Sequence, residues 1–365
     1  MKLIYLISLA LFATATAHAT ASNMSWATHL SPDFVMGTPP AMKAAQNNPS
    51  ASWNFAAADA CEEHIAKAVC RVKSLSDNGQ CLEVPGEVFE NLRAVYQRLA
   101  PPLQTMFCKV PQIFIADEMA SLAMAGYAAH HSDPTKVITF MAISTSLVAE
   151  NQSADAVFGW KEQRMFGAKS HRYEVQKSGP LVSIRTNSPI ATLQYVITHE
   201  LAHLFDYLNA ANKFECHSSD KFDCRKNPTS REDYLELLKH QTPIEDSWGS
   251  LSWKTGIEPN EKNNFPLQSK LCFYGCTETL KLSDMSDFYL QLDPTSFVTS
   301  YAASNPMDDF AESVAFYFMT QADDDLKFRI STGRVIYFNE WRWSLMQKKH
   351  NWIELFFEGD LKYPQ

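Results

Sequence analysis

Thr198-His199-Glu200-Leu201-Ala202-His203 is the stretch on which the reading of this chain turns. Just upstream, Ser188-Pro189 couples a helix-capping side chain to a proline suited to the first helical position. Ile190, Leu193, Val196, Ile197, Leu201, Leu204 and Leu208 then recur at helical spacing, which predicts one long helix running through the motif. Two histidines four apart on such a helix are offset by about 6 Å along the axis and about 40° around it, so both imidazoles can reach one ion. Glu200 lies about 100° round from His199, near enough to touch a water on that ion without ligating it. Two neutral nitrogen ligands and one carboxylate base are the parts needed to activate water on Zn²⁺. The pattern therefore predicts one zinc ion per chain, held by His199 and His203, with Glu200 as general base.

A catalytic zinc needs a third protein ligand and an open position for water. In the metzincin pattern, His-Glu-x-x-His-x-x-Gly-x-x-His, the chain turns at the glycine to supply a third histidine. Here Asp206 holds the glycine position and Asn209 the last histidine position, so a carboxylate from elsewhere is required. The best candidate opens a second helix in Ser300-Tyr301-Ala302-Ala303-Ser304-Asn305-Pro306-Met307-Asp308-Asp309-Phe310-Ala311-Glu312-Ser313, where Asp308 and Glu312 stand four apart on one face. Asp206, one turn after His203, is spaced to accept the second N–H of a zinc-bound imidazole, and it reads equally well as an ordinary polar residue of the helix. His130-His131, before Asp133-Pro134, read as solvent-facing turn residues, and His171, His217 and His240 have no motif around them.

These residues resemble the gluzincin metallopeptidases of the anthrax lethal factor type, a group that includes the secreted Pro-Pro endopeptidases. In that group the His-Glu-x-x-His helix commonly continues to an Asp three residues on, as His203-Leu204-Phe205-Asp206 does. A later segment of the group is similar in order and spacing to Thr299-Ser300-Tyr301, Asn305 and Asp308-Asp309-Phe310-Ala311-Glu312. The resemblance implies an α+β, zincin-like metallopeptidase domain: a small mixed sheet, an active-site helix and a helical C-terminal lobe. It assigns Tyr301 to stabilising the oxyanion, Asp308 to the zinc, and Glu312 to a position behind the ligands or, as the alternative, to ligation itself. The group carries Glu where this chain has Asp308, one methylene shorter. The resemblance rests on these two motifs and says nothing of the N-terminal third.

Outward from the motifs, 365 residues with 45% hydrophobic and 20% charged side chains exclude a disordered or low-complexity chain. A net charge of -9 lacks the basic field that nucleic-acid binding requires, so no nucleic-acid partner is expected. Residues 1–19, Met-Lys followed by an apolar run and Ala17-His18-Ala19, read as a signal peptide whose apolar part is too short to span a bilayer. That predicts export to the periplasm or the extracellular medium, with no integral membrane association. Eight cysteines fit disulfides in such a compartment: Cys61, Cys70, Cys81 and Cys108 in one local group, Cys216, Cys224, Cys272 and Cys276 in another.

Residues 20–109 are expected to form an extended lead-in and a small disulfide-stapled helical region, with helical spacing over 59–75 and 87–106 and a stop at Pro101-Pro102. Residues 110–365 are expected to form the catalytic domain. Strands are predicted at Gln112–Ile115, at Val137–Phe140 and, in a strand or hairpin turning at Gly179-Pro180, within Arg172–Thr186. Residues 213–290, polar and carrying four cysteines, read as a long surface insertion, and helices are predicted over 306–320 and 340–357. The function expected is a secreted zinc-dependent endopeptidase acting on a protein or peptide substrate. Two alternatives stay open: another zinc hydrolase, since deformylase-like enzymes pair the same motif with a Cys ligand and Cys216 is the nearest cysteine, or a non-catalytic secreted binding protein on a zincin scaffold.

Overall fold

The computed structural model describes residues 34–36, 61–75, 81–119, 121–130, 137–149, 152–166, 182–219, 222–223, 231–273, 280–321, 327–331, 335–337 and 344–358. The expectations for the signal peptide, for His131 and His171, for the Gly179-Pro180 turn and for the start of the helix predicted over 340–357 lie outside these residues. The chain is α+β and divides into two compact units, Met1–Asn151 with Val196–Ala210 and Phe222–Leu237, and Gln152–Tyr195 with Ala211–Lys221 and Leu238–Gln365.

The first unit is built on a mixed five-stranded sheet of β1 (Phe34–Met36), β2 (Val69–Ser74), β3 (Ile113–Glu118), β4 (Ala123–His130) and β5 (Val137–Ser144), in the order β1-β4-β5-β3-β2. β3 runs parallel to both β2 and β5, and β4 runs antiparallel to β5 and to β1. Ile113, Phe114, Ile115 and Ala116 are fully buried, as are Phe140 to Ile143, so these central strands are covered on both faces and read as continuous apolar runs rather than alternations. Both predicted strands of this sheet are present. Gly126 lies directly opposite Phe140, and a Cβ there would collide with the ring, so the aromatic side chain folds across the glycine into the core of Cys70, Val72, Phe114, Met124 and Ala142.

Three expectations in this region are corrected. The predicted helix over 59–75 ends at Ala68, because Val69-Cys70-Arg71-Val72 leaves the helical path to pair in register with Ile113 to Ala116. Pro101 ends one helix and starts the next: Gly86–Arg98 closes with Leu99 and Ala100 in extended conformation, and Pro101 then occupies the first position of Pro101–Phe107. The lead-in supplies a strand, β1, on the edge of the sheet, and β2 and β3, on either side of the expected boundary at 109/110, belong to the same sheet. Two disulfides, Cys61–Cys108 and Cys70–Cys81, pair the first group of four cysteines within itself.

The second unit contains an antiparallel sheet ordered β10-β9-β6, from β6 (Val182–Arg185), β9 (Lys327–Ser331) and β10 (Val335–Tyr337), and a two-stranded pair of β7 (Phe214–Cys216) and β8 (Gln241–Pro243). Its core draws together Tyr195, Trp253, Phe265, Met285, Phe288, Tyr289, Phe297 and Phe316. Many of these come from the stretch expected to be a surface excursion, so that part of 213–290 is core. Its polar residues turn inward to satisfy the backbone: Asn263 Oδ1 accepts from the N–H and hydroxyl of Ser296, and Asn260 Nδ2 donates to the Leu251 carbonyl. Trp248 is wholly buried, edge-on to Phe310 and Trp352. The predicted helices appear as Pro306–Gln321 and Ser344–Glu358. No helix among the described residues is long and apolar enough to cross a membrane.

Candidate metal centre

The motif helix runs Pro189–Asn209, with Pro189 at its first position and the Ser188 hydroxyl accepting the Ala191 N–H at 3.3 Å, as the sequence predicted. Every residue from Ala191 to Leu204 is buried, so this is a helix covered on all sides, and the motif side chains lie inside the protein: His199 and His203 are each 8% exposed and Glu200 6%. The helix continues through Asp206 without a break and ends at Ala210, which adopts φ 53° while its N–H reaches the Asp206 carbonyl. The two motif rings meet edge to face with centroids 4.8 Å apart, their Nε2 atoms 3.1 Å from each other, and His203 stacks on Tyr207 one turn further on.

Asp308 sits in the first turn of helix Pro306–Gln321. Asn305 caps that helix, its Oδ1 accepting the Met307 and Asp308 N–H groups at 3.1 and 2.9 Å, while its Nδ2 donates to Asp308 Oδ2. One asparagine thus starts the helix and orients the acid.

His199, His203 and Asp308 form a buried group whose ligand atoms all lie within 4.8 Å of one another. The donor set fits a metal ion. Two nitrogens bound tetrahedrally at about 2.0–2.1 Å would stand about 3.3 Å apart, close to the separation of the two Nε2 atoms. Two imidazole nitrogens and one carboxylate oxygen are thus brought together as a group that could bind a metal ion.

Glu312, one turn beyond Asp308, accepts hydrogen bonds from the Tyr195 hydroxyl at 3.0 Å and the Thr299 hydroxyl at 2.7 Å. These bonds tie the motif helix to the segment that carries Tyr301. Burial, with the Glu312 charge beside it, holds the Tyr195 phenol well above its ordinary value, so it remains a donor. Tyr301 is 8% exposed, with Phe273 edge-on to its ring and the Lys161 ammonium over its face. Asp206 is 2% exposed on the motif helix. His217 faces Thr242 in the β7–β8 pair, and His130 ends β4. Cys216 is disulfide-bonded, which removes it as a metal ligand and with it the cysteine-ligated alternative.

Two features around these residues escape a sequence reading. Asp309, next to Asp308, forms a wholly buried pair with Lys349 and accepts from the Trp253 indole at 3.1 Å, while Lys349 also donates to the Ser296 carbonyl at 2.7 Å. Burial raises the Asp309 carboxyl and lowers the Lys349 ammonium, each acting against its partner's charge. Glu162, also buried, takes hydrogen bonds from the Tyr289 and Ser300 hydroxyls. Each of these contacts joins residues 40 or more apart, so no local spacing announces them.

Compared with protein-family models, with curated proteins and with solved structures, the chain matches none.

Proposed function

We propose that this protein is an exported zinc-dependent endopeptidase with a zincin-like domain of the gluzincin type. The observation that carries the reading is the buried convergence of His199, His203 and Asp308 on the helix pair that also bears Glu200 and Glu312. His199, His203 and Asp308 would hold the ion. Zinc bound there supplies a Lewis acid that lowers the pKa of a water to near neutrality. Glu200, on the same helix turn as His199, takes the proton of the attacking water and delivers it to the leaving amine. Tyr301 donates a hydrogen bond to the oxygen on which charge develops. Glu312 supports the site through Tyr195 and Thr299.

β6 is an edge strand of its sheet among the described residues, which suits it to hold an extended peptide by strand addition. The disulfides fit an oxidising compartment, and the net charge of -9 argues against a nucleic-acid partner. The reading expects one zinc per chain in dialysed protein, lost with Asp308→Ala and kept with Glu312→Ala. Glu200→Gln should keep the zinc and lose peptide hydrolysis by about 10²- to 10⁴-fold. Zinc lost mainly with Glu312→Ala would shift the ligand by one turn. Iron in place of zinc, or a folded chain that binds no metal, would overturn the reading, the second outcome in favour of a binding protein.

A further inference from the structure

We propose that Lys161 and Glu162, neighbours on the short helix Trp160–Met165, are positioning residues for the Tyr301 hydroxyl; this rests on the oxyanion role given to Tyr301 above. Glu162 acts on the backbone. One of its carboxylate oxygens accepts from the hydroxyl of Ser300, the residue directly before Tyr301, and the other from the hydroxyl of Tyr289. On the far side of Ser300, the Thr299 hydroxyl donates to Glu312 and accepts the Ala302 N–H at 2.9 Å. The chain entering Tyr301 is therefore held by two buried carboxylates, and the chain leaving it by the Ser304 hydroxyl, which donates to the Tyr301 carbonyl at 2.6 Å. Lys161 acts on the ring. Its Nζ lies 2.8 Å from the Tyr301 ring centroid, with the Phe273 ring edge-on at 5.0 Å, so the plane of the phenol is set as well as its root.

A buried carboxylate is a costly way to hold a serine, since an apolar side chain of the same size would make a more stable core. What the carboxylate adds is direction. A hydroxyl that must meet charge appearing only in the transition state gains from being fixed beforehand, because reorientation during the reaction is then avoided. Lys161 and Glu162 supply that fixing from one turn of one helix, and neither belongs to either sequence motif.

The test uses the full mature chain with Glu162→Gln and Lys161→Met, each made alone and in a Tyr301→Phe background. Glutamine keeps one acceptor and turns the other atom into a donor facing a hydroxyl; methionine keeps the lysine stem without the charge. In zinc-loaded protein kcat should fall about 10- to 100-fold with KM nearly unchanged, and the fall should vanish once Tyr301 is Phe. In metal-free protein labelled with 3-fluorotyrosine, the fluorine resonance assigned to Tyr301 by its loss in Tyr301→Phe should move in both variants. Equal losses of kcat in both backgrounds, or a resonance that stays in place, would overturn the proposal. A wild type without peptide hydrolysis would refute the peptidase reading alone, and the resonance would then decide the placement. If Glu162→Gln fails to fold, Lys161→Met, at a half-buried position, decides it by the same two readouts.

Discussion

Lys349→Met removes an ammonium and little else, because the methionine follows the hydrocarbon stem. Lys349 and Asp309 are both 0% exposed, so the variant strands a carboxylate with only neutral donors, the Trp253 indole foremost, and takes a donor from the Ser296 carbonyl. Stranding one member of a buried pair costs about 3–5 kcal/mol, whereas an exposed pair is worth about 1 kcal/mol or less. Burial disfavours both charges, raising Asp309 and lowering Lys349, so the intact pair gains little over a neutral one and the cost lies in the stranding. Asp309→Asn added to Lys349→Met removes the stranded charge, keeps an acceptor for Trp253, and should regain at least half of the loss. Urea unfolding followed by tryptophan fluorescence reads this core directly, since Lys349 Nζ lies 5.2 Å from the Trp248 ring centroid. With a denaturant slope of about 2 kcal/mol/M, the single variant should lower the midpoint by about 1.5–2.5 M. A drop below about 0.5 M, or a double variant no more stable than the single, would refute the reasoning.

Burial holds the Glu162 carboxyl above its ordinary value of 4.5, so the stability it contributes is present in full below that value and is lost as pH rises through the folded value. Glu162→Gln, neutral throughout, should therefore compare worst with wild type near pH 4 and gain on it toward pH 8; a difference in urea midpoint that is flat or grows with pH would contradict this. Removing the Cys61–Cys108 bond with a double Cys→Ala change opens a loop with a sequence separation of 47, worth about 4 kcal/mol by chain entropy. Calorimetry should show a matching fall in Tm, and an unchanged Tm would count against a stabilising role for this bond.

The helix through His199 and His203 could be read from the chain because everything that makes it is local: a serine cap, a proline at the first position and apolar residues at helical spacing. The buried runs of β3 and β5 were legible for the same reason. β2 was not. Its residues carry helical spacing, and what makes them a strand is the register with β3, some forty residues away. Residues 213–290 read as a polar surface insertion because partners of their buried aromatic residues, Phe297 and Phe316 among them, lie outside the stretch.

At the candidate site the sequence alone supplied the donors, His199 and His203, with Glu200 beside them, and a short list of acids to complete the set. An i, i+4 spacing on a helix fixes relative position to within a turn whatever the surroundings, so those residues could be named without a fold. Only the tertiary structure decided which acid lies near both imidazoles. Asp308 and Glu312 share a helix face, but Asn305 turns Asp308 into the group with the histidines, while Tyr195 and Thr299 hold Glu312. Tertiary structure alone also brought Glu162 to Ser300 and Lys161 to Tyr301, more than a hundred residues along the chain. Such contacts follow from how buried surfaces pack, and packing is a property of the whole chain that no window of sequence contains.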